Sequence, residues 1–256
     1  MAIPRIYNPQ ILDEGTIAEL GTDYRVYLRD VLRLREGDEL ILFDGVGHEY
    51  RSVIRGFEPG AVRLEVAAKK DIILPVTRIT LAQSIPKGGK MEFIIQKATE
   101  LGVSRIIPFI SSRSIPRITG DRAAGKVGRW RKVAVEASRQ CGRADVPEVS
   151  GIVSFDEMLR SVDGSALRII LWEGEAQHGL REILTDEKNA GADSFCIVIG
   201  PEGGFSWEEI EKARQKGFLS ASLGRLILRT ETAPLAVLSI LQYEKGLFGT
   251  LPETVT

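Results

Sequence analysis

The chain has 256 residues, 43% hydrophobic and 27% charged, with a formal net charge of −1. That suits a soluble globular protein of one large or two modest domains. It contains no run of 18 apolar residues to form a membrane helix. Met1-Ala2-Ile3-Pro4-Arg5 lacks the apolar core of a signal peptide, which predicts a cytosolic protein. Cys141 and Cys196 stand 55 positions apart with only His48 and His178 to join them, which is no zinc pattern, and no metal is expected.

Residues 1–70 read as short strands and turns. A short helix is predicted around Tyr24–Leu34. Strands follow at Asp38–Asp44, ending on the turn residue Gly45, then at His48–Phe57 and Ala61–Ala67, with Glu58-Pro59-Gly60 between the last two. This spacing predicts a small antiparallel barrel. Lys69-Lys70-Asp71 up to Pro75 reads as a linker, and both histidines read as surface residues.

From Val76 the pattern becomes strand–helix alternation, which implies a parallel sheet covered by helices on both faces. Strands are predicted at Arg78–Ala82, Arg105–Phe109, Arg168–Trp172, Phe195–Ile199 and Ser220–Leu223. Met91, Ile94, Ile95, Ala98 and Leu101 make one apolar helical face. Ser206-Trp207-Glu208-Glu209 spells a capping box, with Gly217 as the stop. Pro234 suits the first turn of a last helix that runs towards Gly246. Cys196, inside an apolar strand, reads as a buried small hydrophobe.

Charge is unevenly spread. Between Arg113 and Arg143 stand Arg113, Arg117, Arg122, Lys126, Arg129, Arg131, Lys132, Arg139 and Arg143 against Asp121 and Glu136, +7 locally and −8 elsewhere. Such a segment is either a solvated helix face or a track for phosphates. Lys87 and Lys90, beside Gly88-Gly89, read as solvated or RNA-facing.

Ligands of open parallel sheets sit beyond the carboxyl ends of the strands. Three post-strand segments stand out: Leu171–Glu175, Ile199–Gly204 and Leu223–Ala233. The second has three glycines in five residues, which permits positive φ and close approach of a ligand to the backbone. It is neither a phosphate-binding Walker loop nor a dinucleotide fingerprint, and a tight turn explains it equally well. A Cβ at Gly203 is expected to obstruct a ligand or strain the loop. In the third, amides at the helix start offer an acceptor site, or else Thr232 simply caps the helix. Serine or cysteine nucleophile systems have little support.

Taken together, these segments resemble a known family. Lys90–Val103, Gln140-Cys141-Gly142-Arg143 with Pro147, Ile199–Gly204 and Leu223–Ala233 are similar to signatures of the bacterial ribosomal RNA small subunit methyltransferase E family, and Pro4–Tyr7 and Val31–Arg33 also fit. The resemblance implies an α/β fold: a SPOUT-type parallel sheet with a C-terminal trefoil knot (residues 73–256), plus a small N-terminal PUA-like β-barrel (residues 1–72). It implies a homodimer that methylates N3 of one uridine in 16S rRNA, within the 30S subunit, using S-adenosyl-L-methionine (SAM). Leu171, Trp172, Glu173, Ile199, Gly200, Pro201, Glu202, Gly203, Gly204, Leu223, Gly224, Ile227, Leu228, Arg229, Thr230, Thr232 and Ala233 would then hold SAM. Glu202 and Glu231 are candidate bases, and Arg229 a candidate stabiliser of charge on a uracil oxygen. Arg5, Arg33, Lys87, Lys90, Lys97, Arg113, Arg129, Arg131, Lys132, Arg139 and Arg143 are the candidate RNA contacts. Two positions depart from the pattern: Tyr27 where a histidine is expected, and Arg139 where a glutamate is expected. A SPOUT enzyme acting on tRNA or 23S rRNA, and a non-catalytic RNA-binding protein, are the alternatives.

Overall fold

The computed structural model describes residues 3–114, 120–162, 164 and 166–248, so Arg117 of the basic segment lies outside the described residues. The chain divides into two compact units: Met1–Leu74 with Val135–Val146, and Pro75–Ala134 with Pro147–Thr256.

The first unit holds β1 (Arg5–Tyr7), β2 (Ile17–Gly21), α1 (Thr22–Val26), a π-helical turn (Tyr27–Val31), β3 (Glu39–Phe43), β4 (His48–Glu58) and β5 (Ala61–Asp71). Its five strands run in the order β1-β3-β4-β5-β2, antiparallel except for the β1–β3 pair. Two register shifts between β4 and β5 bend the long hairpin, as bulges do, and one core gathers on a single face. Ile6, Leu40, Leu42, Tyr50, Ile54, Val62 and Leu64 belong to it, and alternation in β5 puts Val62, Leu64 and Val66 inside. The linker expected at Lys69 is instead strand, because Tyr50 pairs with Lys69 and His48 with Asp71.

Polar groups inside this unit are tied down. The Asp44 carboxylate is fully buried. It accepts from the backbone N–H groups of Val46 (2.9 Å) and His48 (3.1 Å), from the Tyr50 hydroxyl (3.2 Å) and from the His48 ring at 2.5 Å. His48 is therefore half-buried and partnered rather than a surface residue. Burial pushes the Asp44 carboxyl up, but these hydrogen bonds outweigh it and leave it below the usual carboxylate range. The two family departures meet here. The Arg139 guanidinium lies 5.8 Å from the Tyr27 ring centroid and donates to its hydroxyl at 3.3 Å.

The second unit alternates β6 (Arg78–Ser84), α2 (Lys90–Glu100), β7 (Arg105–Ile110), α3 (Asp121–Cys141, whose residues from Val135 belong to the first unit), β8 (Glu148–Val149), β9 (Val153–Ser154), α4 (Phe155–Ser161), β10 (Leu167–Leu171), α5 (Leu180–Thr185), β11 (Ser194–Ile199), α6 (Trp207–Gln215), β12 (Leu219–Ala221) and α7 (Thr232–Glu244). Every ladder is parallel, in the order β12-β10-β11-β6-β7-β8, with β9 also pairing with β7. Central β11 is buried on both faces, as parallel strands between helical layers are. Cys196 and Val198 face a cluster with Met158 and Leu159 of α4 and Ile210 and Ala213 of α6. Burial holds the Cys196 thiol up at about 12, so it stays an unreactive hydrophobe. On α2, Met91, Ile94, Ile95 and Ala98 are buried, and α2 packs against α7. The Ser206 capping box forms as predicted.

Candidate active site

Leu171 pairs with Ala221, Ile170 with Val198, and Ile199 with Gln83. The carboxyl ends of β12, β10, β11 and β6 therefore finish level, and the three loops noted in the sequence leave from adjacent strands. Between them lies a cleft of about 740 Å³ lined by Leu171–Glu173, Ile199–Phe205, Ala221–Thr230, Ala233 and Lys90. Its volume falls within the roughly 300–1,000 Å³ of small-molecule sites.

Every residue assigned to the cofactor lines this cleft except Thr232. Thr232 is the first residue of α7 and does not cap it; Glu231 precedes the helix, with no side-chain cap. The N–H groups of Thr232 and Ala233 already donate to the Arg229 carbonyl (2.8 and 2.9 Å), so these two amides do not form the acceptor site the sequence suggested. The glycine expectation also moves by one residue. Gly203 needs no unusual φ, and an added Cβ would only touch Arg113 at 3.4 Å. Gly204 sits at φ +67°, where a Cβ would be strained and would run into the Glu173 carboxylate.

The candidate bases share a cation. Lys90 Nζ donates to Glu231 Oε2 at 3.1 Å and to Glu202 Oε1 at 3.4 Å. Glu202 also accepts the Lys87 backbone N–H at 3.1 Å. The Glu231 hydrogen bond raises the Lys90 pKa, with smaller help from Glu202. Burial pushes the Glu231 carboxyl up, but its own backbone N–H and the Lys90 ammonium more than offset this and hold it below the usual range. Lys90 thus lines the cleft beside both carboxylates, a place its reading as solvated or RNA-facing did not give it.

Sequence reasoning also missed Gln83. It is fully buried, and its Nε2 donates to Thr230 Oγ1 (3.1 Å) and the Ser84 carbonyl (2.9 Å). Thr230 in turn donates to the Gly200 carbonyl at 2.7 Å. This chain of hydrogen bonds ties the second loop to the third. A polar residue near the end of an apolar strand was the available signal. Trp172 of the lining packs against Trp207, with ring centroids 5.6 Å apart, and the Arg214 guanidinium stands 5.9 and 5.6 Å from their centroids.

The candidate RNA contacts fare unevenly. Arg5 is mostly buried in an ion pair with Glu49 (2.6 Å), and Arg143 in one with Asp145 (2.6 Å). Lys97 pairs with Glu100 at 2.8 Å, and Arg139 with Glu136 at 2.9 Å. Arg129 reaches Glu92 at 2.7 Å yet stays 71% exposed. Arg131 donates to the Val149 carbonyl, and Arg113 to the Gly203 carbonyl, both at 3.0 Å. Arg33, Lys87, Arg113, Arg131 and Lys132 are exposed.

Comparison with known proteins decides the family. A family model for an RNA methyltransferase domain matches residues 73–242, and one for an RNA methyltransferase PUA domain matches residues 27–67. The ribosomal RNA small subunit methyltransferase E of Bacillus subtilis (strain 168) is 32% identical over 242 residues, 93% of this chain and 94% of that protein. This chain belongs to the ribosomal RNA small subunit methyltransferase E family. A member of that family from Neisseria gonorrhoeae, solved bound to S-adenosyl methionine, is 35% identical with a TM-score of 0.84, covering 94% of this chain and 97% of that one. A Legionella pneumophila protein solved in complex with bound SAM is 34% identical with a TM-score of 0.86, covering 95% and 98%. Among the described residues no group of side chains could hold a metal ion, and no helix is long and apolar enough to cross a membrane. The family's α/β fold with a parallel sheet and a PUA-like N-terminal unit is the one described above.

Proposed function

We propose that this chain uses SAM to methylate N3 of one uridine in 16S rRNA, within the 30S particle. The observation that carries the reading is the cleft itself. Three loops from adjacent strand ends enclose a space sized for a nucleoside ligand, with Lys90 joined to Glu202 and Glu231 at its edge. Backbone groups of Leu171–Glu173, Gly200–Gly204 and Leu223–Ala233 would hold the cofactor, and the positive φ of Gly204 lets the main chain approach without a side chain in the way. When bound, SAM supplies an activated methyl carbon whose bond to sulfur breaks as the new N–C bond forms.

The protein's own work is to place the uracil ring and to help N3 lose its proton, since neutral uracil is a poor nucleophile there. Glu202 or Glu231 receives that proton. We further propose that residues 1–72 bind RNA, that residues 73–256 carry catalysis in a trefoil-knotted arrangement, and that the enzyme is a homodimer. Light scattering at micromolar concentration should report a dimer, and a monomer would count against that last element.

Calorimetry with SAM, paired with methyl transfer to 30S particles, tests the reading. The wild type should bind and transfer. Glu202→Gln keeps shape and loses charge, so it should bind SAM normally and transfer about 100-fold more slowly if Glu202 is the base. Full activity in Glu202→Gln would leave Glu231 or solvent to take the proton. Absence of SAM binding by the wild type would remove the proposed function.

A further inference from the structure

N3 of uracil becomes nucleophilic only as negative charge spreads over its two flanking carbonyl oxygens. An enzyme that methylates N3 therefore gains from a fixed cation at one of those oxygens as well as from a base. The sequence offers Arg229 for that place, and it lines the cleft, but its side chain is exposed and reaches the Glu231 carboxylate only through its charge. Lys90 is less exposed and is held by partners. It opens α2, directly after β6, lines the cleft, and is held by Glu231 at 3.1 Å and Glu202 at 3.4 Å. Those ion pairs engage two of its three N–H donors. The ammonium is thus preorganised without being used up.

We propose that Lys90 is a catalytic residue that donates a hydrogen bond to O2 or O4 of the target uracil and stabilises the anion formed when N3 loses its proton. This rests on the N3 reading above. In the step, the N3–H bond breaks, its electron pair stays on the ring, and the proton moves to the carboxylate of Glu202 or Glu231. The cation that orients both carboxylates also receives the charge their action creates. A base held ionised is a weak one, and the Glu231 carboxyl lies below its ordinary range. Weak general-base catalysis makes the second half of the device, stabilisation of the conjugate anion, more necessary.

The test compares methyl transfer by wild type, Lys90→Met and Lys90→Arg across pH, on RNA containing either uridine or 5-fluorouridine, whose N3 is more acidic. SAM affinity and thermal melting are measured in parallel. Lys90→Met should bind SAM within about threefold of wild type and melt normally. It should lose on the order of 100-fold or more in transfer, the scale of a lost oxyanion donor. Its rate should keep rising to higher pH than the wild-type rate does. Fluorouridine should return at least tenfold of its loss while changing the wild type less, and Lys90→Arg should keep more activity than Lys90→Met. Equal fluorouridine effects in wild type and Lys90→Met would overturn the proposal, as would a fall in SAM affinity that accounts for the lost activity. Nucleoside analysis of the wild-type product separates the two levels: a methylated nucleoside other than 3-methyluridine refutes the N3 reading itself.

Discussion

The two units differ in where they leave charge within reach of a ligand. In the first, ionised groups are enclosed and paired: Asp44 with four donors, Arg5 with Glu49, and Arg143 with Asp145. The second unit also encloses carboxylates, Glu175 with Ser220 and Arg214 and Glu209 with Ser112, but it adds partly exposed charges where its strands end, at Glu202, Glu231 and Lys90. Enclosed charges fix a shape, because leaving one unpaired is costly. Charges at strand ends remain available to a ligand. Substitution of the enclosed Asp44 should therefore damage stability, and substitution of the strand-end charges should damage function.

The largest break should come at Asp44. Asp44→Ala strands the Tyr50 hydroxyl, the His48 ring and two backbone N–H groups, and should cost about 3 kcal/mol or more in denaturant unfolding. Because its carboxyl titrates below the ordinary range in the folded state, its contribution is complete above about pH 4 and is lost as pH falls through the folded value. Asp44→Asn should flatten that acid dependence. An Asp44→Ala protein as stable as wild type would erase the contrast between the units.

Next is a pair of neighbouring glycines in the second unit. Gly204→Ala should lose about 10- to 100-fold in SAM affinity through positive-φ strain in the loop, whereas Gly203→Ala should change it by less than about threefold. Calorimetry reads both, and equal effects would mean the loop is not the binding element.

Much of this was legible in the sequence, and the reasons differ by region. The second unit announced itself because strand–helix alternation and a capping box are local patterns, as at Phe195–Ile199 and Ser206–Glu209. Its three loops were legible because ligands gather at strand ends. Lys90 and Gln83 were not, because their roles depend on β6 lying beside β11, a long-range pairing that periodicity does not encode. In the first unit, Lys69–Asp71 looked like a linker because lysine and aspartate are poor strand formers, and pairing with β4 overrode that preference. The partnership of Asp44 with His48 was likewise hidden, since a turn brings the two together.

A smaller effect sharpens the comparison from the first unit. If Tyr27 and Arg139 are a matched pair, Tyr27→His and Arg139→Glu should each destabilise. The double substitution should then recover part of the loss, with a coupling of about 0.5–1 kcal/mol in a double-mutant cycle. Strict additivity would make them independent departures. The smallest expected effect on folding comes from Arg129, Arg131 and Lys132. Replacing all three with alanine should leave SAM affinity and stability nearly unchanged. It should weaken rRNA binding and lower its salt slope by about one for each phosphate that is no longer neutralised. An unchanged slope would make that face an ordinary solvated helix surface.

The central claim is a methyl group on N3 of a uridine in small-subunit RNA. Nucleoside mapping of 16S rRNA tests it most directly, after purified enzyme and SAM act on 30S particles from a strain lacking this gene. The expected product is 3-methyluridine at a single position, absent before treatment and absent when Glu202→Gln and Lys90→Met are combined. Methylation of a different base, of a ribose hydroxyl, or of no residue in 16S rRNA would contradict it.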